Sequence, residues 1–207
     1  MQYTRVKICG ITRLNDAVHA CDMGVDAIGL VFYDKSSRNI NPLIASQISR
    51  ALPAFVTSVA LFMNEDESQI RQILDQVPID CLQFHGDEEA GFCRQFQRPY
   101  IKAMAMDGET ELTKKISEYH DARGILLDSH APGQAGGTGI TFDWDEIPHN
   151  LGMPLILAGG LNVENVAEAV RIVQPYAVDV SSGVEREKGI KDAELITAFI
   201  HEVKHVE

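Results

Sequence analysis

The sequence predicts an α/β fold of the (β/α)8, or TIM-barrel, type, and three observations support this prediction. Short β-branched apolar segments alternate with amphipathic segments along the chain, which is typical of parallel strands joined by helical crossovers. There are eight apolar segments, and eight such units favour closure into a barrel. Several of them, such as AIGLVF, are continuously apolar, as strands covered on both faces are. An open doubly wound sheet is the structural alternative.

The predicted strands leave room for a connecting segment between each pair. They are residues 5–11, 26–32, 57–63, 81–85, 100–106, 124–128, 154–159 and 177–181. The clearest helices are residues 65–77, 162–173 and 192–206, whose apolar side chains recur at helical spacing. We expect Asn162 to be the N-cap of the second of these helices. The connection between the sixth and seventh strands is the weakest, and only FDWDEIPHN within it is predicted to be a short helical segment.

The composition limits the classes of function. We expect one domain over residues 1–207, because 45% apolar residues are enough for a core. The formal net charge of −12 argues against binding to nucleic acid or to anionic membranes, which require a basic surface. No segment is apolar for long enough to be a signal peptide or to span a membrane. The four cysteines form no CxxC pair and predict free thiols in a reducing cytoplasm.

A phosphate site is predicted at the C-terminal ends of the last two strands, the end where barrels of this type carry their active sites. These strands are followed by AGGLN, with Gly159 and Gly160, and by SSGVE, with Ser181, Ser182 and Gly183. Glycine allows the backbone to approach an anion, and N–H groups at a helix start point towards it. The second loop is expected to begin a short extra helix. Tight turns that only cap helices are the alternative.

Two other strand ends carry candidate proton-transfer groups. Asp128 follows the apolar segment GILL, where partial burial can raise the pKa of its carboxyl so that it donates a proton; a helix N-cap is the alternative. The glycine-rich segment after it, residues 129–142, is typical of a lid. Cys9 ends the first strand, where the charge of Lys7 can lower the pKa of the thiol and make it a base. A buried inert thiol is the alternative.

The remaining polar residues near strand ends are weaker candidates. Arg38, in KSSRNI, can bind a carboxylate through two hydrogen bonds, or can be an ordinary surface arginine. Gln83 and His85 lie in LQFHGDEE, where the histidine is either an acid–base group or a structural residue. Lys102 lies on the fifth strand. Residues 87–89 are interpreted as the acidic first turn of the next helix and not as metal ligands, so no metal site is predicted.

In combination, these motifs resemble the phosphoribosylanthranilate isomerase family over essentially the whole chain. The matching segments are, in order, VKICGIT, GLVFYDKSSRNI, LQFHGDE, ILLDS with PGQAGGTGITFDW, LAGGLNVENV and DVSSGVEREKGIKD. The resemblance implies that Cys9 is the general base, that Asp128 is the general acid, and that Arg38 binds the substrate's anthranilate carboxylate. It also implies that the last two segments bind phosphate. One departure is Ser37, where the family often has proline.

The reaction implied by the resemblance is an Amadori rearrangement in tryptophan biosynthesis. N-(5-phosphoribosyl)anthranilate is isomerised, in an aldose–ketose type of reaction, to 1-(2-carboxyphenylamino)-1-deoxyribulose 5-phosphate, without a cofactor. There are three alternatives. One is a related barrel enzyme that acts on an aminoimidazole carboxamide ribotide, and another is indole-glycerol-phosphate synthase, which Lys102 supports. The third is a non-catalytic phosphosugar-binding protein. Cys9 argues against the ribotide isomerase, in which two aspartates act. We expect a monomer or a homodimer.

Overall fold

Eight parallel strands close into a barrel in sequence order. The computed structural model describes residues 3–105, 109–128, 144–148 and 151–206. The strands are β1 (Arg5–Cys9), β2 (Ala27–Val31), β3 (Thr57–Phe62), β4 (Cys81–Phe84), β5 (Tyr100–Ala105), β6 (Gly124–Asp128), β7 (Leu155–Leu157) and β8 (Ala177–Val180). Each lies within its predicted bounds. Pairing of β1 with β8 closes the barrel, so the predicted (β/α)8 barrel is confirmed and the open sheet is excluded.

Helices cover the outside of the barrel. They are α1 (Leu14–Asp22), α2 (Pro42–Ala51), α3 (Glu67–Gln76), α4 (Ala90–Arg94), α5 (Glu109–Glu118), α6 (Val166–Val173) and α7 (Ala193–Lys204). A hairpin of β9 (Glu185–Glu187) and β10 (Ile190–Lys191) precedes α7. Single 3-10 turns occur at Trp144–Glu146, inside the predicted FDWDEIPHN segment, and at Ser182–Val184, where the short extra helix is predicted.

One helix starts later than the sequence predicts. α6 begins at Val166, so the prediction of Asn162 as its N-cap is wrong. The side chain of Asn162 accepts hydrogen bonds from the N–H groups of Glu164 and Asn165 and thereby closes a separate turn. The side chain of Asn165 accepts from the N–H of Asn162 and donates to the carbonyl of Gly160. These bonds hold the loop after β7 in place at the C-terminal end of the barrel.

Alternation of side chains along the strands separates an outer layer from the barrel interior. Outward-facing residues such as Ile8 and Leu82 pack with the helices in the main core. Inside the barrel lies a smaller apolar cluster of Val59, Cys81, Ile101, Ala103, Leu126, Ile156, Ala158 and Ala177. Because the period is two residues, the same alternation turns Lys7 and Cys9 of β1 inwards, together with Asp128 of β6.

Lys102 faces the outer layer and not the interior. Its ammonium donates to the carboxylate of Glu88 at 2.9 Å, and both side chains are buried. Glu88 also accepts hydrogen bonds from two backbone N–H groups. The interpretation of residues 87–89 as an acidic helix turn is therefore wrong, since α4 begins at Ala90 without an acidic first turn. Lys102 is not at the strand mouth and does not support indole-glycerol-phosphate synthase chemistry.

Candidate active site

A buried ion pair lies inside the barrel between β1 and β8. Lys7 and Asp179 are register partners on these strands, and the ammonium donates to the carboxylate at 2.8 Å. Burial alone would lower the pKa of Lys7, but the carboxylate of Asp179 and the thiol of Cys9 raise it above its ordinary value. Lys7 is therefore a fixed positive charge on the same face of β1 as Cys9.

Cys9 is buried at the end of β1. A Cβ on Gly29 of the neighbouring strand would lie 2.7 Å from Sγ, so the glycine provides the space that the thiol occupies. Burial raises the pKa of the thiol above its ordinary value, although Lys7 and Lys191 oppose this. Lys7 thus acts in the predicted direction, but burial outweighs it, and the net shift is opposite to the expected lowering.

The other three cysteines have the properties of structural thiols. All four are unpaired in the structure, as predicted. Burial raises the pKa of Cys81 to about 11 and that of Cys93 to about 12, so both thiols stay protonated. Cys21 lies half-buried in α1, away from the strand ends. Cys9 is therefore the cysteine that combines burial with two nearby ammonium groups.

Asp128, His85 and Gln83 form a second group at the strand ends, on β6 and β4. Nε2 of His85 lies 3.5 Å from the Asp128 carboxylate, and both side chains are partly exposed. Nδ1 of His85 lies 2.9 Å from Nε2 of Gln83. The two ring nitrogens of His85 therefore face Gln83 on one side and Asp128 on the other. Asp128 is thus close to His85 and Gln83, although the two segments are far apart in the sequence, and all three side chains face the barrel interior.

The two predicted phosphate loops lie against each other. Gly159 and Gly160 have φ angles of 84° and 66°, in the left-handed region that favours glycine. A Cβ on Gly183 would overlap the carbonyl oxygen of Leu161, so the SSG turn fits only because residue 183 has no side chain. The two loops therefore contact each other at Gly183 and Leu161, beside β7 and β8. The predicted lid, residues 129–142, lies outside the described residues.

A chain of polar contacts links Arg38, in the loop after β2, to the hairpin after β8. Nε and Nη2 of Arg38 each donate to one carboxylate oxygen of Glu185, both at 2.8 Å. Lys191 donates to the same carboxylate at 2.8 Å and to the carbonyl of Ser181 at 2.9 Å. The hydroxyl of Ser181 donates to the carbonyl of Cys9 at 3.0 Å. The contacts thus connect Arg38 to the end of β1.

Arg38, Glu185 and Lys191 form a cluster of charges, and the side chains are more buried the farther they lie along it from Arg38. The side chains of Arg38, Glu185 and Lys191 are 15%, 4% and 0% exposed. Burial opposes ionisation of Glu185, but hydrogen bonds from Arg38 and the charge of Lys191 outweigh it and hold the pKa of its carboxyl below the ordinary value. Sequence analysis missed Glu185 and Lys191, for which the only signal is their place in SSGVEREKGIKD.

Comparison with known proteins agrees with the fold and with the motifs. The family model described as N-(5'phosphoribosyl)anthranilate (PRA) isomerase matches residues 6–202. An N-(5'-phosphoribosyl)anthranilate isomerase of Pseudomonas paraeruginosa is 54% identical over 99% of this chain and 97% of its own length. The enzyme of that name from Azotobacter vinelandii is 53% identical over 99% and 100% of the two chains. These matches span nearly all of both proteins.

Solved structures also resemble this chain. The phosphoribosyl anthranilate isomerase of Thermotoga maritima superimposes with a TM-score of 0.89 at 42% identity, covering 97% of this chain and 98% of that one. A phosphoribosyl anthranilate isomerase in complex with reduced 1-(o-carboxyphenylamino)-1-deoxyribulose 5-phosphate has a TM-score of 0.86 at 41% identity, with the same coverage. The closed barrel and these relatives define an isomerase on a (β/α)8 scaffold. The chain belongs to the N-(5'-phosphoribosyl)anthranilate isomerase family of tryptophan biosynthesis, which confirms the resemblance.

Proposed function

We propose that the chain converts N-(5-phosphoribosyl)anthranilate to 1-(2-carboxyphenylamino)-1-deoxyribulose 5-phosphate by an Amadori rearrangement. The observation that supports this most strongly is the meeting of a thiol, a carboxyl group and two glycine loops at one end of the barrel. Cys9 and Asp128 both face inwards there, on β1 and β6. A base and an acid beside a phosphate site are the groups that this reaction requires.

In the first step, Asp128 is the general acid. Its carboxyl donates a proton to the ribose ring oxygen, the bond between that oxygen and C1 breaks, and the nitrogen lone pair forms a C1=N iminium ion. His85 lies against this acid, with Nε2 3.5 Å from the Asp128 carboxylate. Gln83 orients the imidazole, because its side-chain amide lies 2.9 Å from Nδ1. We propose that His85 and Gln83 position the acid and do not transfer the proton themselves.

In the second step, Cys9 is the general base. Its thiolate removes the proton from C2, and the electron pair of that bond forms a C1=C2 double bond while the iminium nitrogen becomes neutral. The resulting enolamine tautomerises to the ketone. The raised pKa of the buried thiol makes the thiolate a stronger base but a rarer species. The charges of Lys7 and Lys191 limit that cost, because they favour the negative sulfur.

The substrate has two anionic ends, its phosphate and its anthranilate carboxylate, and a separate binding site is assigned to each. The phosphate is proposed to lie on the backbone N–H groups of Gly159, Gly160, Ser181, Ser182 and Gly183, since the glycines allow the backbone to approach an anion closely. The anthranilate carboxylate is proposed to pair with Arg38. Both sites attract anions locally, so the overall charge of −12 does not oppose them.

The proposed function is tested by the loss of substrate fluorescence, with the substrate generated in situ from anthranilate by its phosphoribosyltransferase. We expect rapid decay that depends on the amount of protein added. A folded protein that binds the reduced product but does not accelerate the decay would be a non-catalytic binder. Absence of both binding and decay would contradict the anthranilate assignment, and the aminoimidazole carboxamide ribotide would then be tried as substrate.

Replacement of Gly183 by alanine is expected to separate the two phosphate loops. The new Cβ overlaps the carbonyl of Leu161, so the free energy of unfolding should fall by about 1–3 kcal/mol, the usual cost of overpacking. Binding of inorganic phosphate should weaken as well. Urea unfolding and inhibition by phosphate measure the two effects. Gly91→Ala is the matched control, because a Cβ there contacts nothing within 4 Å. Equal behaviour of the two variants would contradict the close approach of the loops.

Localisation and assembly complete the proposal. In the described part of the chain, no helix has the length and apolar character needed to cross a membrane. We propose a cytoplasmic enzyme on the basis of its four free thiols. A Thermotoga maritima relative is described as dimeric, and monomer or homodimer stays the prediction for this chain. Sedimentation equilibrium distinguishes the two. The single domain over residues 1–207 also stays a prediction.

A further inference from the structure

We propose that Glu185 is a positioning residue, which presents the outer edge of the Arg38 guanidinium to the substrate carboxylate. Lys191 holds Glu185 in place from the buried side. The inference rests on the proposed function, because it requires a substrate with a carboxylate on its aromatic ring. It goes further by assigning a role to Glu185, which the acid–base steps do not use, and a second role to Lys191, both on the β9–β10 hairpin.

The first argument is the edge of the guanidinium that Glu185 occupies. An arginine head carries five N–H groups in one plane. Glu185 takes one of them on Nε and one on Nη2, both at 2.8 Å. The pairing leaves one N–H of Nη1 and the second N–H of Nη2 on the adjacent, terminal edge of the guanidinium. That edge matches a second carboxylate through two parallel hydrogen bonds. Glu185 and a substrate carboxylate therefore fit the same arginine simultaneously.

The second argument is that the stem of Arg38 is also held. Gly10 has a φ angle of 76°, and a Cβ there would lie 2.5 Å from Cδ of Arg38. The backbone N–H of Arg38 donates to the hydroxyl of Ser36 at 3.1 Å. With the stem against Gly10 and the head paired with Glu185, the guanidinium has little rotational freedom left. Binding a carboxylate then costs less side-chain entropy than it would at a free surface arginine.

The third argument is charge balance. Arg38 and Glu185 alone would be neutral and would attract an anion poorly. Lys191 contacts three acceptors, namely the Glu185 carboxylate and the carbonyl and hydroxyl oxygens of Ser181. Burial lowers the pKa of Lys191, but the adjacent Glu185 carboxylate opposes the lowering, and the three acceptors match the three N–H groups of a charged ammonium. Two cations and one carboxylate give a net charge of +1, and the exposed member of the cluster is the arginine.

The opposite role for Glu185 is that of a competitor that occupies Arg38 until substrate displaces it. The two roles predict opposite effects of removing its charge. A competitor that is removed leaves tighter binding of the substrate carboxylate. If Glu185 is a positioning residue, its removal gives Arg38 more conformations and weakens binding of the same carboxylate.

The experiment measures dissociation constants by titration calorimetry for two ligands. One is reduced 1-(o-carboxyphenylamino)-1-deoxyribulose 5-phosphate, and the other is the same compound without its carboxyl group. Glu185→Gln is expected to weaken binding of the first ligand about ten- to a hundredfold, the usual effect of losing a charge-assisted pair. Binding of the second should stay within about twofold. Glu187→Gln is the control, since it removes one charge from an exposed residue of the same hairpin.

Each other outcome overturns the inference in a recognisable way. Equal weakening of both ligands by Glu185→Gln indicates a general structural role, and tighter binding of the first indicates a competitor. In an Arg38→Ala background, Glu185→Gln should have no further effect on the first ligand, and an additive loss contradicts action through the arginine. If the wild type binds neither ligand, the proposed function fails and the inference fails with it.

Discussion

Replacement of Asp128 by asparagine is expected to lower kcat by about a hundred- to ten-thousandfold, the usual contribution of a proton-transfer group. Asparagine has nearly the same shape as the carboxyl group but cannot release an acidic proton. Its side chain can still contact His85, which lies 3.5 Å from the carboxylate in the wild type. Fluorescence decay of the substrate measures the loss. Because the phosphate and carboxylate sites are elsewhere, the affinity for the reduced product should change little.

A surface aspartate provides the control for this prediction. Asp22 is exposed at the end of α1, and Asp22→Asn removes the same charge without touching a strand end. The control should have wild-type activity. If Asp128→Asn turned over the substrate nearly as fast as the wild type, Asp128 would not be the general acid.

Replacement of Cys9 by alanine is expected to cause a loss of similar size, about a hundred- to ten-thousandfold in kcat. Alanine fits the space beside Gly29 without a clash, so the barrel should fold and bind the reduced product normally. The variant lacks a group that can take the proton from C2. Cys21→Ala makes the same change on α1 and should be fully active. Normal turnover by Cys9→Ala would show that another group is the base.

The pH dependence of kcat/KM gives an independent check on Cys9. The base must be a thiolate, and burial raises the pKa of this thiol above its ordinary value. Because the reaction also needs the proton of Asp128, the enzyme form that holds both this proton and the thiolate becomes rarer once the pH passes that pKa, and kcat/KM should fall there. A kcat/KM that continues to rise with pH through that pKa would contradict a mechanism that needs both groups.

The sequence predicted the elements of the barrel because their signals are local. An apolar segment such as GILL forms a strand wherever it is covered on both faces, and the alternation of side chains then decides which residues face inwards. This is why Cys9 and Asp128 could be selected as strand-end candidates, and why their inward direction followed once the strands were known. The two glycine loops could be predicted for the same reason, because the glycines of AGG and SSG, which give each loop its conformational freedom, are visible in the sequence.

Contacts between distant segments could not be read from the sequence. Lys7 and Asp179 are 172 residues apart, and Arg38 and Glu185 are 147 apart, so their pairing depends on barrel closure and strand register. The polarity of Lys102 favours a place at the strand mouth, but the pleat turns this residue outwards, where it pairs with Glu88.

The sequence by itself therefore determined the fold class, the order of the strands and the residue types at the strand ends, because these depend on local periodicity and turn chemistry. Only the tertiary structure decided which charged side chains are in contact and how strongly burial shifts their pKa values. The thiol of Cys9 is the clearest case. Its neighbour Lys7 is visible in the sequence, but the burial that outweighs the charge of Lys7 exists only in the closed barrel.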